Sequence, residues 1–225
     1  MLRFQVGTEA LEVQPRQLVI AGWTGRDRAA IDHHIEELAA IGVPRPSSVP
    51  LYYRVAASLL TQDKQIEVLG AGSSGEVEPV LVCARGRWWL TVGSDHTDRD
   101  AERAGVALSK QLCAKPVASL AWSWDAVSAR ADPIVLRSEI FEGGRWVCYQ
   151  DGTLASIRPL EQLIAGLPGD APVADGLVLF CGTLGALPDA SGRGVRPAAR
   201  MRLLLIDGER TLTHEYATTG LPQVA

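Results

Sequence analysis

Several features that define common functional classes are absent from this sequence. No stretch of about 18 consecutive apolar residues occurs, so no transmembrane helix is expected. The first residues lack the basic start, apolar run and cleavage site of a signal peptide, so we expect a cytoplasmic protein. The net charge is −4, and no Lys/Arg cluster is interleaved with aromatic residues, which gives no electrostatic reason to expect nucleic-acid binding.

Nucleotide-binding and disulfide signatures are absent as well. Neither GxGxxG nor GxxxxGK[ST] occurs, which disfavours a nucleotide-binding, doubly wound sheet. The four cysteines form no CxxC pair, so a zinc site is not expected. We interpret Cys83, Cys113, Cys148 and Cys181 as reduced core thiols, because three of them lie in apolar, strand-like runs.

The hydrophobic pattern of the 225 residues is mostly that of strands. Short strands are predicted before residue 22, and a helix with an apolar stripe follows, capped by Thr24 and ended by Gly42. Two further short helices are predicted at 98–108 and 158–165. Strand candidates after residue 44 lie at 65–69, 77–83, 88–92, 117–122, 134–141, 145–149, 177–181, 201–206 and 210–216.

Two pairs of these strands have glycine-containing turns between them, at Gly143-Gly144 and Asp207-Gly208, and are predicted to form hairpins. Many strands with a few short helices predict an α+β fold that is mainly β. The size of the chain allows one sizeable core, in one or two domains.

The strongest chemical signal is a set of three carboxylates. Glu76 and Glu78 are two residues apart in a strand-like run, so their side chains point to the same face. Asp95 follows the next strand candidate, and three carboxylates from two strand ends suit a hard divalent cation. Arg99, four residues after Asp95, would share its helical face and could hold an anion there. The alternative is a solvated outer face, with Asp95 as a helix cap in a surface ion pair.

The predicted first helix carries two candidate proton-transfer pairs. His33 and Glu36 are spaced i,i+3, as are His34 and Glu37, so each pair can meet on one face. A carboxylate beside an imidazole orients it and favours its charged form, as activation of a water requires. Because neighbouring helical residues diverge by about 100°, only one pair can face a site. A solvated polar face is the alternative.

Three other positions offer groups that could bind an anion or a metal. Lys110 lies near the end of the short helix after Asp95 and could neutralise a substrate carboxylate, or be a solvated helix terminus. Gly182-Thr183 ends an apolar strand and offers N–H groups and a hydroxyl, although such a pair is also a common turn. His96 is a possible fourth metal contact or a loop residue, and we interpret His214 as structural.

These motifs follow one another in an order that resembles a known family. The stretches are Asp32-His33-His34-Ile35-Glu36, Gly75-Glu76-Val77-Glu78, Gly93-Ser94-Asp95-His96-Thr97-Asp98-Arg99-Asp100, Ser109-Lys110-Gln111-Leu112 and Leu179-Phe180-Cys181-Gly182-Thr183. Over residues 28–216 the chain resembles the fumarylacetoacetate hydrolase superfamily. The resemblance implies a mixed β-roll with an N-terminal lid helix, a homodimer, and metal-dependent chemistry on 2-oxo acids with Mg²⁺ or Mn²⁺.

The resemblance also implies metal ligands, substrate-binding residues and catalytic residues. In that order they are Glu76, Glu78 and Asp95; Arg99, Lys110, Gly182 and Thr183; and His33, Glu36 and Lys110. It divides the chain into N-terminal strands with the lid helix, 1–46, and a catalytic β-roll, 47–225. Five residues depart from the family's motifs, which indicates a divergent branch, with a branch of unassigned function as one alternative. They are Ser94, Glu102, Gln111, Leu112 and Leu184.

We therefore expect a metal-dependent enzyme acting on a 2-oxo acid, with no nucleic-acid or membrane partner. Carbon–carbon bond hydrolysis of an acylpyruvate-type substrate is favoured, since the His33–Glu36 pair is complete. Decarboxylation and hydration or dehydration are alternatives on the same fold. A non-catalytic module that binds a small acid is a further alternative, because a fold does not determine function.

Overall fold

The structure is a computed structural model that describes residues 1–40, 45–169 and 172–224. Within these ranges, seventeen strands are numbered in chain order. They are β1 (Leu2–Val6), β2 (Glu9–Val13), β3 (Gln17–Gly22), β4 (Leu51–Val55), β5 (Leu60–Thr61), β6 (Gln65–Leu69), β7 (Ser73–Ser74), β8 (Val77–Ala84), β9 (Arg87–Ser94), β10 (Thr97–Asp98), β11 (Lys115–Pro116), β12 (Trp122–Ser123), β13 (Val135–Glu142), β14 (Arg145–Thr153), β15 (Leu177–Phe180), β16 (Arg200–Asp207) and β17 (Arg210–Leu221).

The α-helices of the same ranges are short, apart from the first. They are α1 (Arg28–Ala40), α2 (Val106–Gln111), α3 (Trp124–Val127) and α4 (Leu160–Ala165). Single 3₁₀ turns are formed by Ala57–Leu59, Ala101–Arg103, Ser128–Arg130 and Leu154–Ser156. The predicted α+β fold, mainly β, is confirmed. No described helix is both long and apolar enough to cross a membrane.

Two large sheets carry the architecture. One has six strands in the order β12-β9-β8-β15-β3-β4, and the other has five in the order β14-β13-β16-β17-β6. Two-stranded pairs complete the set, namely β1 with β2, β7 with β10, and β5 with β11. Both predicted hairpins are confirmed, since β13 pairs antiparallel with β14 and β16 with β17.

The central strands of the six-stranded sheet are apolar on both faces because each face contacts a different core. Alternate residues of β8 and β15, such as Leu81 and Leu179, belong to the larger core, which also contains side chains of the five-stranded sheet. Their neighbours, such as Val80 and Phe180, belong to a smaller core beneath the β1–β2 hairpin. This sheet therefore lies between two cores, and its strands read as continuous apolar runs.

Several predicted boundaries are corrected by local hydrogen bonds. Asp27 rather than Thr24 caps α1, because its Oδ1 accepts the N–H groups of Ala29 and Ala30 at 2.9 and 3.2 Å. The predicted helix end at Gly42 lies outside the described residues. The predicted helix 98–108 is broken into β10, a 3₁₀ turn and α2. Asp98 starts that turn by accepting the N–H groups of Asp100 and Ala101.

Two other expectations also need correction. The predicted strand 117–122 is mostly irregular, with β11 before it, β12 starting at its last residue, and isolated bridges from Val117 and Leu120. Cys83, Cys113 and Cys181 are buried free thiols as expected, whereas Cys148 is exposed on β14. The division at residue 46 stays a prediction, and β3 from the first segment pairs with both β15 and β4 of the second.

Candidate active site

The three predicted carboxylates lie at the open end of one hairpin. Strands β8 and β9 pair antiparallel with Val77 opposite Ser94, so the next rung brings Glu76 opposite Asp95. That rung is closed by the Asp95 N–H, which donates to the Glu76 carbonyl at 3.0 Å. At the other end, Arg85 and Gly86 form the turn with positive φ values of 54° and 66°.

This hairpin brings three carboxylate oxygens, one from each acid, to within 4.8 Å of one another. Asp95 is fully buried, Glu78 is 2% exposed and Glu76 is partly exposed. The expectation that Glu76 and Glu78 face the same way agrees with this geometry, although Glu76 precedes the first strand residue. The Glu76 N–H donates to Ser94 Oγ at 3.3 Å, which ties the acidic segment to β9.

Glu78 points into the buried side of the cluster. Its Oε2 accepts the N–H of Gly182 at 2.8 Å. Burial, with the nearby carboxylates of Asp95 and Glu76 adding to it, raises the pKa of Glu78 well above its ordinary value. A cation placed among the three acids would relieve this unfavourable ionisation.

Two lysines face the two oxygens of Asp95. Lys110 Nζ donates to Oδ2, and Lys115 Nζ lies 3.2 Å from Oδ1. Burial alone would raise the pKa of Asp95, but the two ammonium groups outweigh it and hold the pKa below its ordinary value. The carboxylate is therefore ionised, and its buried Oδ1 has Lys115 as an ion-pair partner without a hydrogen bond of regular geometry from the described residues.

Arg99 reaches the cluster by a route that the sequence did not indicate. It follows β10 rather than sharing a helical face with Asp95, which corrects the predicted helix there. Its Nε donates to Ser74 Oγ at 2.7 Å, and Nη2 lies 3.1 Å from Glu76 Oε1. Its Nη1 pairs with Glu102 at 3.3 Å, so the guanidinium holds two carboxylates of the chain itself.

His96 belongs to the packing behind the cluster. Its Nδ1 and Nε2 are each 2.9 Å from a hydroxyl oxygen, of Tyr216 and Ser73 respectively. Burial, assisted by Lys115 and Arg99, lowers the pKa of His96 to about 3, so the ring is neutral at pH 7. Because both nitrogens are engaged, the geometry favours the structural interpretation of His96 over a fourth metal contact.

A cavity of about 310 Å³ opens beside the acids. Two of the carboxylates, Glu76 and Glu78, line it together with Lys110, Gly182 and Thr183. The rest of its wall comes mainly from the segment after β3 and from α2 and its approach, and includes Trp23, Thr24, Tyr53, Glu102 and Val106. This volume suits a small ligand, since pockets for drug-sized molecules begin at about 300 Å³.

The Gly182-Thr183 pair lies at the cavity wall, but its polar groups already have partners. The Gly182 N–H donates to Glu78, and Thr183 Oγ1 donates to the Val77 carbonyl at 2.7 Å. Thr183 Oγ1 also accepts from Gln150 Nε2 at 2.8 Å. In this conformation Thr183 ties the cavity wall to the first residue of β8.

The predicted catalytic pair on α1 is not brought to the acids in this conformation. Glu36 forms an exposed ion pair with Arg45, whose guanidinium donates to both carboxylate oxygens of Glu36. His33 is exposed and is not among the residues that line the cavity. The side chains of the alternative pair, His34 and Glu37, lie outside the described part of the chain.

Sequence reasoning missed two buried side chains that support the site. Lys115 is fully buried against Asp95. Gln150 accepts the Val77 N–H at 2.9 Å and donates to Thr183 and to the Leu184 carbonyl. A signal for Lys115 was present, because the sequence has three lysines among 22 basic residues, and Lys110 and Lys115 lie five residues apart.

The residues present fit a hard divalent cation. Their donor atoms are all carboxylate oxygens, which Mg²⁺ and Mn²⁺ prefer. Opposite ligands of an octahedral Mg²⁺ are about 4 Å apart, which is compatible with the 4.8 Å limit within the cluster. Asp95 adds a second reason, since its buried Oδ1 has an ion-pair partner in Lys115 but receives no hydrogen bond of regular geometry from the described residues.

Solved structures with the same fold include three with informative descriptions. A candidate fumarylpyruvate hydrolase from Burkholderia cenocepacia has a TM-score of 0.67 at 18% identity, with 98% of this chain and 92% of that chain covered. A candidate fumarylacetoacetate isomerase/hydrolase from Oleispira antarctica has a TM-score of 0.68 at 17% identity, with coverages of 97% and 100%.

The third structure contains ligands. It is a 2-keto-3-deoxy-D-arabinonate dehydratase complexed with magnesium and 2,5-dioxopentanoate, with a TM-score of 0.64 at 14% identity, and the match covers 92% of this chain and 74% of that chain. At these identities the similarity shows the fold. No protein of curated function matches the sequence. The family model described as "Protein of unknown function (DUF2848)" matches residues 21–216.

Proposed function

Because the chain belongs to the DUF2848 family and has the fold of the fumarylacetoacetate hydrolase superfamily, we propose that it is a metal-dependent enzyme acting on a 2-oxo acid. The observation that carries the proposal is the cluster of Glu76, Glu78 and Asp95. Their oxygens lie within 4.8 Å of one another, and two of the three acids line the cavity. A dehydratase of this fold binds magnesium and a 2-oxo compound, which supports the same ligand class here.

In this proposal the site residues either hold the metal or bind the substrate carboxylate. Glu76, Glu78 and Asp95 would hold Mg²⁺ or Mn²⁺, which when bound would stabilise negative charge on the oxygen of the 2-oxo group. Lys110 lines the cavity and would attract the substrate carboxylate. Thr183 would donate its hydroxyl to the same carboxylate after leaving the Val77 carbonyl. Arg99 was predicted to bind substrate, but that contact would require Arg99 to release Glu102. We therefore propose that the main role of Arg99 is to position Glu76.

The lid chemistry depends on a movement of α1. Ile31 and Ile35 are buried and attach the helix to the protein, whereas His33 and Glu36 are exposed. The Glu36–Arg45 ion pair is exposed to water, which screens it, so its release costs little. We propose that α1 closes over the cavity, that Glu36 then orients His33, and that His33 activates water or moves a proton.

Among the possible reactions, carbon–carbon bond hydrolysis of an acylpyruvate-type substrate is our first choice. It needs a base for attack on a carbonyl, and His33 with Glu36 would supply it. A decarboxylase can work without a strong base, so His33→Ala separates the two. Loss of turnover in His33→Ala, with metal and oxalate binding kept, favours hydrolysis or hydration; unchanged turnover favours decarboxylation.

A non-catalytic module that binds a small acid is the second candidate. It is favoured by Glu102, a departure from the family's motifs whose residue lines the cavity, and by the exposed position of His33. Metal-dependent turnover of any 2-oxo acid excludes this candidate. A homodimer and a cytoplasmic location remain predictions, and light scattering in solution tests the first.

The first experiment is a thermal melt with Mg²⁺ and oxalate, a mimic of the enolate of a 2-oxo acid. A ligand at about 100 times its Kd adds about 2.7 kcal/mol, or about 5–10 °C in Tm for a chain of this size. We expect this rise in wild type and not in Glu76→Ala. Glu67→Ala, which removes an exposed carboxylate of β6, is the matched control and should behave as wild type.

The second experiment is turnover. Acylpyruvates and 2-keto-3-deoxy sugar acids are offered with Mg²⁺ and then with Mn²⁺, and the products are followed by absorbance and mass spectrometry. We expect metal-dependent turnover that Glu76→Ala abolishes. Wild type that shows neither a Tm rise with either metal nor any turnover contradicts the proposed function.

A further inference from the structure

Lys115 is an unusual residue to find at full burial. It is 0% exposed, whereas lysines normally extend their ammonium groups to water. Strand β11, which carries it, pairs in parallel with β5. The ammonium group lies 3.2 Å from Asp95 Oδ1 and donates to the His96 carbonyl. Because it is buried and does not line the cavity, Lys115 acts on a ligand there without contact, through its charge and through Asp95.

The cationic side chains around the three acids equal them in number. Lys110 and Lys115 both face Asp95, and Arg99 pairs with Glu76, so three cations stand beside three ligand carboxylates. The remaining carboxylate, Glu102, pairs with Arg99 and is 36% exposed, so water and salt screen it. When all three acids are ionised they carry three negative charges, which the three cations offset in number.

A divalent cation that enters this site meets little uncompensated negative charge. Asp95 still has acceptor capacity for a cation, because a carboxylate has about four acceptor positions and the two lysines face only one position on each oxygen. The ammonium groups of Lys110 and Lys115 then repel the bound divalent cation. An anion bound beside the cation would restore the balance, and by linkage each would raise the affinity of the other by the same factor.

We infer that Lys115 is a positioning residue that couples metal binding to anion binding: it holds Asp95 as a ligand and offsets its charge, so that the metal binds tightly only together with an anionic 2-oxo acid. This inference rests on the proposed function. The inference adds to the proposed function that the metal and the 2-oxo acid bind cooperatively, and that each alone binds weakly.

The test measures Mn²⁺ binding to the full chain by equilibrium dialysis, with and without oxalate. A protein-free chamber containing the same oxalate accounts for the Mn²⁺–oxalate complex in solution. In wild type we expect oxalate to raise the Mn²⁺ affinity at least about tenfold, within the usual range of coupling between two ligands. Wild type that binds Mn²⁺ equally well in both conditions overturns the inference.

The variant is Lys115→Gln, which removes the charge and keeps a donor for the His96 carbonyl. We expect its Mn²⁺ affinity without oxalate to rise about tenfold and the oxalate effect to fall below about threefold. Lys64→Gln, a change of an exposed lysine, should leave both values at wild type. A Lys115→Gln protein that is folded by its melt and keeps the full oxalate effect contradicts the role of Lys115.

The outcomes separate this inference from the proposed function. Tight Mn²⁺ binding without oxalate, lost in Glu76→Ala, keeps the metal site and removes the coupling. No Mn²⁺ binding in either condition removes the metal site itself. If Lys115→Gln does not fold, the wild-type comparison decides alone, because equal affinities in the two conditions are enough to reject the coupling.

Discussion

At the residue scale, Gly182 shows how tightly the cavity wall is built. Its φ of +96° lies where side chains are strained, and a Cβ there would be 1.7 Å from Thr24 Oγ1. Thr24 is buried and cannot move freely. The same residue donates its N–H to Glu78, so any backbone shift at Gly182 also displaces a carboxylate of the cluster.

We therefore expect Gly182→Ala to lower the free energy of unfolding by about 2–4 kcal/mol, from overpacking and backbone strain together. Urea unfolding measures it. Gly185→Ala is the matched control, because a Cβ at Gly185 would meet nothing within 4 Å, and it should change stability by less than about 1 kcal/mol. Equal effects of the two variants would refute the steric explanation.

His214 gives a pH dependence whose sign can be derived. Burial lowers its pKa from the ordinary value, although the Asp63 carbonyl, 3.2 Å from Nε2, opposes this. The unfolded chain therefore binds a proton at a higher pH than the folded chain does. Stability is then unaffected by His214 well above pH 6.5 and falls as the pH drops below about 6.5.

From pH 6.5 to 5 we expect wild type to lose more stability than His214→Gln, by at most about 1.4 kcal/mol per pH unit. Urea unfolding at a series of pH values measures both slopes. Between pH 7.5 and 8.5 the two slopes should coincide. A steeper acid loss in the variant would contradict the lowered pKa.

At the element scale, Gln150 joins strands that are distant in the sequence. From β14 it accepts the N–H of Val77 in β8 and the hydroxyl of Ser138 in β13, and it donates to Thr183 and Leu184. The residue is 1% exposed, so water cannot replace these partners. It fixes the start of β8, directly beside Glu76.

Gln150→Leu keeps a similar volume and leaves several buried polar groups unsatisfied. At about 1–3 kcal/mol for each such group, we expect a loss of about 3 kcal/mol in denaturant unfolding. Mn²⁺ binding should weaken in the same variant. Gln65→Leu, in which the exposed Gln65 of β6 loses its bond to Thr219, should change stability by about 0.5 kcal/mol or less. Comparable losses in both variants would exclude this role.

At the scale of the whole molecule, β3 decides whether the two predicted segments fold separately. It lies between β15 and β4 in the six-stranded sheet, and Leu18, Val19 and Ile20 are fully buried. Burial of three such side chains contributes about 6 kcal/mol, similar to the entire stability of a small domain, which is about 5–15 kcal/mol. We expect residues 1–46 and 47–225 to fold as one unit.

A chain shortened to residues 47–225 should therefore lack a cooperative thermal transition by circular dichroism. The control is a chain that ends at Leu221, since the described residues after it are exposed, and it should melt close to the full chain. Cooperative melting of the 47–225 chain would show instead that this segment folds independently.

The sequence by itself determined those features that depend on local patterns of residues. Alternation and apolar runs predicted most strands, and glycine turns predicted two hairpins, because these signals act between neighbours in the chain. The spacing of Glu76, Glu78 and Asp95 was also enough to predict that these acids lie together, because one hairpin between residues 77 and 94 brings them close. The order of motifs was enough for the fold, which solved structures of the fumarylacetoacetate hydrolase type confirm.

Only the tertiary structure decided the surroundings of those acids. Lys115 reaches Asp95 through the pairing of β11 with β5, and Gln150 reaches Val77 and Thr183 from another sheet. The tertiary structure also decided which partner Glu36 has, since it forms an ion pair with Arg45 and does not line the cavity. Charge and burial at a site are sums over residues that are far apart in the chain, and no local pattern contains those sums.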